Sequence, residues 1–218
     1  MNRAVLRFPS SALKLRQKST PVDIDSAETS YLIDDLQDSF KVLEGYGLAA
    51  PQIGIFRRAI IIGPQNLGIN DEEALLMLNP SVTLLGGEEL FKEACFSVPY
   101  VDAFVKRSNR CVVTYTTVKG EEESLELTGL PAACIQHEID HLDGMLYIDR
   151  LSRLKRQILL KKIKKIEKRE RKIMQEKRRE FMEDHESLQY GYDAEKKTKT
   201  TYSKKRKIKA RRKRSRSR

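Results

Sequence analysis

Between residues 26 and 44 apolar side chains recur at three- and four-residue intervals (Leu32, Ile33, Leu36, Phe40, Leu43), the spacing of one helix face. Asp25-Ser26-Ala27-Glu28 ahead of them reads as a capping box with an acidic first turn, and Gly45 as the stop. From 58 to 128 the period shortens. Residues 59–62, 75–78, 82–85 and 111–116 are short apolar or β-branched runs that predict strands. Gly63-Pro64, Asn79-Pro80, Gly86-Gly87 and Lys119-Gly120 punctuate them. Pro131 suits a first helical turn, so 131–143 predicts a second helix with Gly144 just past its end. After Asp149 a narrow stripe of Leu151, Leu154, Ile158, Leu159, Ile163 and Ile166 runs through a field of Lys and Arg, and thins beyond about 168. The pattern predicts an α+β domain over 1–150, with short antiparallel strands packed around the second helix. A long basic C-terminal helix over 151–185 and a disordered basic tail over 186–218 would follow, the tail lacking any core-forming pattern.

Charge sharpens that division. Residues 151–218 hold 28 Lys/Arg against 9 Asp/Glu, a net of +19, so the +11 of the whole chain leaves −8 for residues 1–150. An acidic globular part is joined to a strongly basic extension. Three cysteines (Cys95, Cys111, Cys134) with no short spacing argue against a disulfide framework and for a reducing compartment. No apolar run approaches the roughly 18 residues of a membrane span, and the opening residues lack the apolar core of a signal peptide. Arg3, Arg7, Lys14, Arg16 and Lys18, with no acid before Asp23, have the bias of a mitochondrial presequence. Strand-like segments follow so soon, however, that cleavage would remove part of the fold. The expected location is the cytoplasm, with an organelle as the alternative, and no membrane partner is expected.

The chemistry concentrates at His137-Glu138-Ile139-Asp140-His141, an HExxH pattern on the second predicted helix. Residues four apart share a helix face, so both imidazoles can converge on one cation, with Glu138 beside them. Alone the pattern is weak, and two helix histidines making ordinary hydrogen bonds is the bland reading. A hydrolytic site needs a third protein ligand and an open position. The only later histidine, His185, lies in a polar stretch, whereas Cys95 stands upstream.

Three segments together resemble the peptide deformylase family. Gly45-Tyr46-Gly47-Leu48-Ala49-Ala50-Pro51-Gln52 is similar to its first motif, Glu93-Ala94-Cys95-Phe96-Ser97 to the second, and Gln136 through Gly144 to the third. The resemblance runs from about Val5 to Arg156. It departs at Ala94, where the family has glycine, a residue chosen where backbone takes positive φ or approaches a ligand closely. Alanine fits if φ there is negative. The resemblance implies one divalent metal, Fe2+ with Zn2+ as the alternative, held by Cys95, His137 and His141. Glu138 would be general acid/base, and the Gln52 side chain and Phe96 backbone N–H would be oxyanion donors. Tyr46 and Gly47 would line the peptide path, and Leu130, Ala133 and Cys134 the methionine pocket. The substrate implied is the N-formyl-methionine end of a newly made polypeptide. The basic extension adds a partner, ribosomal RNA, because clustered Lys/Arg gains affinity for phosphate by releasing counterions. Rival readings are a catalytically retired module that only binds ribosome or RNA, and a general metalloprotease.

Overall fold

Residues 59–62 are apolar at every position because their strand is buried on both faces. The computed structural model describes residues 3–43, 45–67 and 73–182 and divides into two units, Met1–Ile163 and Lys164–Arg218. Ahead of the C-terminal helix, the α-helices described in the first unit are α1 (Ala12–Leu15), α2 (Ala27–Leu43) and α3 (Leu130–Leu142). The strands are β1 (Gly47–Ala49), β2 (Ala59–Ile62), β3 (Leu75–Leu84), β4 (Glu88–Cys95), β5 (Val98–Ser108), β6 (Arg110–Thr116) and β7 (Glu122–Thr128). Five strands form an antiparallel sheet in the order β1-β2-β3-β6-β7, and β4 pairs with β5. The molecule is therefore mixed helix and antiparallel sheet.

Alternation along β2 assigns its two faces. Ile60 and Ile62 join Met77, Val113 and Leu127 against Ala132, Ile135, Ile139 and Leu142 of α3. Ala59 and Ile61 join Leu76 and Leu78 against Leu32 and Leu36 of α2. Cys111 is fully buried in the α3 cluster.

The β3–β6 pair and the β4–β5 pair are two stretches of one long bent ribbon. Leu84 stands opposite Cys111 and, past Gly86-Gly87, Glu88 stands opposite Ser108. Both glycines have positive φ (92° and 72°), which makes the bend cheap for them and costly for other residues. The ribbon ends in a tight turn, with Cys95 opposite Val98 and only Phe96 and Ser97 between. That tip is stacked on a third cluster containing Leu15, Val98, Val101, Val105, Tyr147 and Ile148. The N-terminal segment is tied to the same place, Leu6 N–H donating to Gln52 O and Phe8 N–H to Ser97 O, both at 2.7 Å.

Several expectations need correction. Asn79-Pro80 does not break a strand: β3 runs through it, with a register shift between Leu78 and Ser81. Asn79 takes φ 51° there, and its side-chain amide bonds the N–H and C=O of Val22. The cap of α2 is Ser26, one residue after Asp25; its hydroxyl accepts the Glu28 N–H at 3.2 Å, while the Glu28 carboxylate reaches Arg57. β4, β5 and β7 escaped the apolar-run criterion because their outer faces carry Glu, Asp and Lys.

The C-terminal helix begins at 153, not 151. Leu151, Leu159 and Ile163 are buried in the third cluster, whereas Leu154 and Ile158 are exposed. In the second unit residues 164–182 are helical. Residues 183–185 of the predicted helix and the tail over 186–218 lie outside the described residues. Among the described residues no helix is long and apolar enough to cross a membrane.

Candidate active site

Helix α3 places His137 and His141 one turn apart, with ring centroids 5.0 Å apart and planes at 82°. The ribbon tip brings Cys95 to them, Sγ lying 3.2 Å from His141 Nε2. One donor atom from each of Cys95, His137 and His141 falls within 4.8 Å of the others. Tetrahedral ligands about 2.0–2.3 Å from one cation stand roughly 3.5 Å apart, so the donor set suits a single transition-metal ion. His137 Nδ1 bonds Glu93 Oε2 at 2.7 Å, which leaves Nε2 as the ring nitrogen that could face a cation. Burial, and then His137, hold His141 well below its usual value, so it is a neutral imidazole. Burial works downward on His137 too, but hydrogen bonds to Cys95 and Glu93 lift it well above its usual value.

Behind these residues runs a charged chain that spacing arguments did not foresee. The Arg107 guanidinium is entirely buried and grips Glu93 at 2.6 and 2.9 Å and Asp140 at 2.6 Å. Arg150 closes on the other side of Asp140 at 2.5 and 2.6 Å. Burial alone would raise the Glu93 carboxyl, but Arg107 and His137 overcome it and hold it at about 2. The Tyr147 ring stacks on His137 at 6.1 Å, and its hydroxyl donates to Val101 O at 3.0 Å.

A cavity of about 630 Å³ opens over the cluster, lined in part by Tyr46, Gly47, Gln52, Cys95, Phe96, Leu130, Ala133, Cys134, His137 and Glu138. Of the residues singled out in the sequence only His141, 1% exposed, lies outside its lining. Glu138 is buried, and its Oε2 has no protein partner. Burial pushes it up to about 7, with the charge of His137 opposing and that of Glu93 adding. A Cβ on Gly47 would stand 2.7 Å from Glu138 Oε1, so the glycine lets backbone pass against this carboxylate. Gln52 Oε1 accepts the Ala49 N–H at 2.8 Å, which turns its NH2 toward Cys95 Sγ and Ser97 Oγ at 3.5 and 3.3 Å. Burial raises the Cys134 thiol well above its usual value, which keeps it protonated. Ala94 of β4 stands opposite Asp102 of β5, outside the positive-φ positions, and lines the cavity.

The model of the polypeptide deformylase family matches residues 3–157. The chain belongs to the peptide deformylase family. The deformylase named peptide deformylase 2 of Xanthomonas axonopodis pv. citri is 39% identical over 166 residues, 74% of this chain and 94% of that one. The peptide deformylase of Bartonella henselae is 40% identical over 154 residues, 69% of this chain and 86% of its own. Among solved structures, the Legionella pneumophila deformylase aligns with TM-score 0.69 at 34% identity, covering 78% of this chain and 98% of that one. The Acinetobacter baumannii class I type b deformylase, solved with Met-Ala-Ser bound, gives 0.62 at 30% identity, covering 69% and 99%. As a peptide deformylase, the enzyme removes the N-formyl group from newly made polypeptides.

Proposed function

We propose that Cys95, His137 and His141 hold one divalent ion, Fe2+ with Zn2+ as the alternative, and that Glu138 is the acid/base of deformylation. The observation that carries this reading is the cluster of one thiol and two imidazoles beside a buried carboxylate oxygen that no protein group satisfies. When bound, a dication supplies the Lewis acidity that makes water a nucleophile near neutral pH. Glu138 accepts the proton of the attacking water and delivers it to the departing amine nitrogen, so that formate and a free α-amine leave. The Gln52 NH2 and the Phe96 N–H stabilise the oxyanion developing on the formyl oxygen. Leu130, Ala133 and Cys134 receive the methionine side chain, and Tyr46 and Gly47 guide the peptide. The bound Met-Ala-Ser of the Acinetobacter relative supports a methionine-led peptide as ligand.

The finer organisation is proposed on the same footing: a catalytic part over 1–150 built around the HExxH helix, a basic C-terminal segment over 151–185 whose described part is helical from 153, and a basic tail over 186–218. That extension docks the enzyme on ribosomal RNA, in the cytoplasm, where formylated chains emerge. Elemental analysis tests the core of this. The enzyme should copurify with about one divalent ion, and Cys95→Ser or His141→Ala should lose both metal and turnover of formyl-peptide. Full metal content in both variants would show that the ligands are other residues.

A further inference from the structure

The two oxyanion donors proposed above come from parts of the chain that do not pair with each other. Gln52 lies in the short 3-10 turn Ala50–Ile53 that follows β1, and Phe96 in the two-residue turn between Cys95 and Val98 at the ribbon tip. β4 and β5 pair together, apart from the five-stranded sheet that carries β1. Across the gap run long bonds from Gln52 Nε2 to Cys95 Sγ and Ser97 Oγ, at 3.5 and 3.3 Å, and these engage the very amide that must turn to substrate.

Main chain from a third place joins the two. Leu6 donates its N–H to the Gln52 carbonyl, and Phe8, two residues on, donates its N–H to the Ser97 carbonyl, each at 2.7 Å. Both bonds are at the short end of the N–H···O range. Leu6 and Phe8 also pack, partly buried, on the third cluster. The segment is fastened beyond both ends. Arg3 bonds Ser39 Oγ and Asp35 Oδ2 on α2 at 3.1 and 2.6 Å, and Leu15 of α1 is buried in the third cluster. Few soft dihedrals separate the Ser97 carbonyl from the Phe96 N–H in so short a turn, so holding the first directs the second.

We propose that Leu6–Phe8 is a positioning segment for catalysis: its two N–H groups hold the Gln52 and Ser97 carbonyls, and through them fix the spacing of the Gln52 NH2 and the Phe96 N–H. The proposal rests on those two groups being the oxyanion donors. A displacement of about 1 Å in a catalytic constellation costs roughly a hundredfold in rate. The loss falls on kcat, because the charge being stabilised develops only in the transition state.

The test replaces Leu6 and Phe8, one at a time, by the α-hydroxy acids bearing the same side chains, so that an ester oxygen stands where each N–H was. In the metal-loaded full chain acting on formyl-Met-Ala-Ser, each ester should lower kcat by roughly tenfold or more, with KM and metal content close to those of the wild type. In a Gln52→Leu background the Leu6 ester should cost little further, because the donor that it holds is gone. A kcat within about twofold of the wild type in both esters, whatever their Tm, or a full additive loss from the Leu6 ester in Gln52→Leu, overturns the proposal alone. A Gln52→Leu enzyme that keeps wild-type kcat overturns instead the oxyanion reading beneath it.

Discussion

A carboxylate shut away from water needs a reason, and the proposed role as proton carrier gives Glu138 one. Its Oε2 is unsatisfied, whereas Glu93, 45 residues earlier in the chain, is fully engaged by Arg107 and His137. Two buried glutamates with such different partners are set for different tasks. Glu138→Gln should retain the metal while kcat falls by about a hundredfold to ten-thousandfold; near-normal kcat in the metal-replete variant would remove Glu138 from the mechanism. Arg107 answers to a different measurement. Arg107→Met removes the buried cation that Glu93 and Asp140 share, leaving Glu93 to His137 and Asp140 to Arg150, and should cost about 3 kcal/mol in urea unfolding. At this scale the sequence displayed the HExxH pair and Cys95 because a helix repeat and a familiar order expose them. Glu93, Arg107, Asp140 and Arg150 gave no such signal: they meet only through tertiary pairing, and no spacing rule links positions on a hairpin, a helix and a loop.

Among the elements, α3 was readable at both ends, because Pro131 suits the first turn of a helix and Gly144 the position just past its end. Gly144 has φ 72°, and a Cβ there would overlap the carbonyl of Arg16. Gly144→Ala therefore meets both backbone strain and a clash with main chain, and should lower stability by about 2 kcal/mol or more. Equal denaturation midpoints for the two forms would contradict this packing.

Just beyond, Asp149 accepts from both terminal nitrogens of Arg16 and from the Leu146 N–H, and pairs with Arg156 at 2.9 Å. Burial works upward on its carboxyl, but these partners outweigh it and hold it below the ordinary value. A carboxyl depressed on folding stabilises the protein above its unfolded pKa, near 4, and that contribution fades as pH falls through the folded value. Asp149→Asn should thus be less stable than wild type at pH 7, with the gap narrowing below about pH 4 in pH-dependent urea titrations. The polar strands β4, β5 and β7 escaped detection for the opposite reason to α3: with one face exposed, their charge-rich positions mask the two-residue period that pairing reveals.

For the whole molecule, the contrast between an acidic catalytic part and a basic extension was plain from composition alone, because charge needs no fold to be counted. Removing residues 168–218 should leave turnover of a short formyl-peptide essentially unchanged, since every proposed catalytic residue precedes 142. The same cut should weaken ribosome cosedimentation, and the full-length binding should decline steeply with added salt. Equal, salt-insensitive sedimentation of both forms would sink the RNA-docking reading. The bent ribbon has a further consequence, for how such an enzyme can diversify. β3 and β6 pair with each other below the bend, so the sheet closes without help from β4 or β5. The excursion beyond it delivers one metal-ligand candidate at its tip and walls the cavity along its flank. Residues can be inserted or lost among Pro99–Val101 without shifting one rung of the five-stranded ladder. Over evolutionary time, then, the histidines on α3 can stay fixed while the wall of the cavity is rewritten on a neighbouring element.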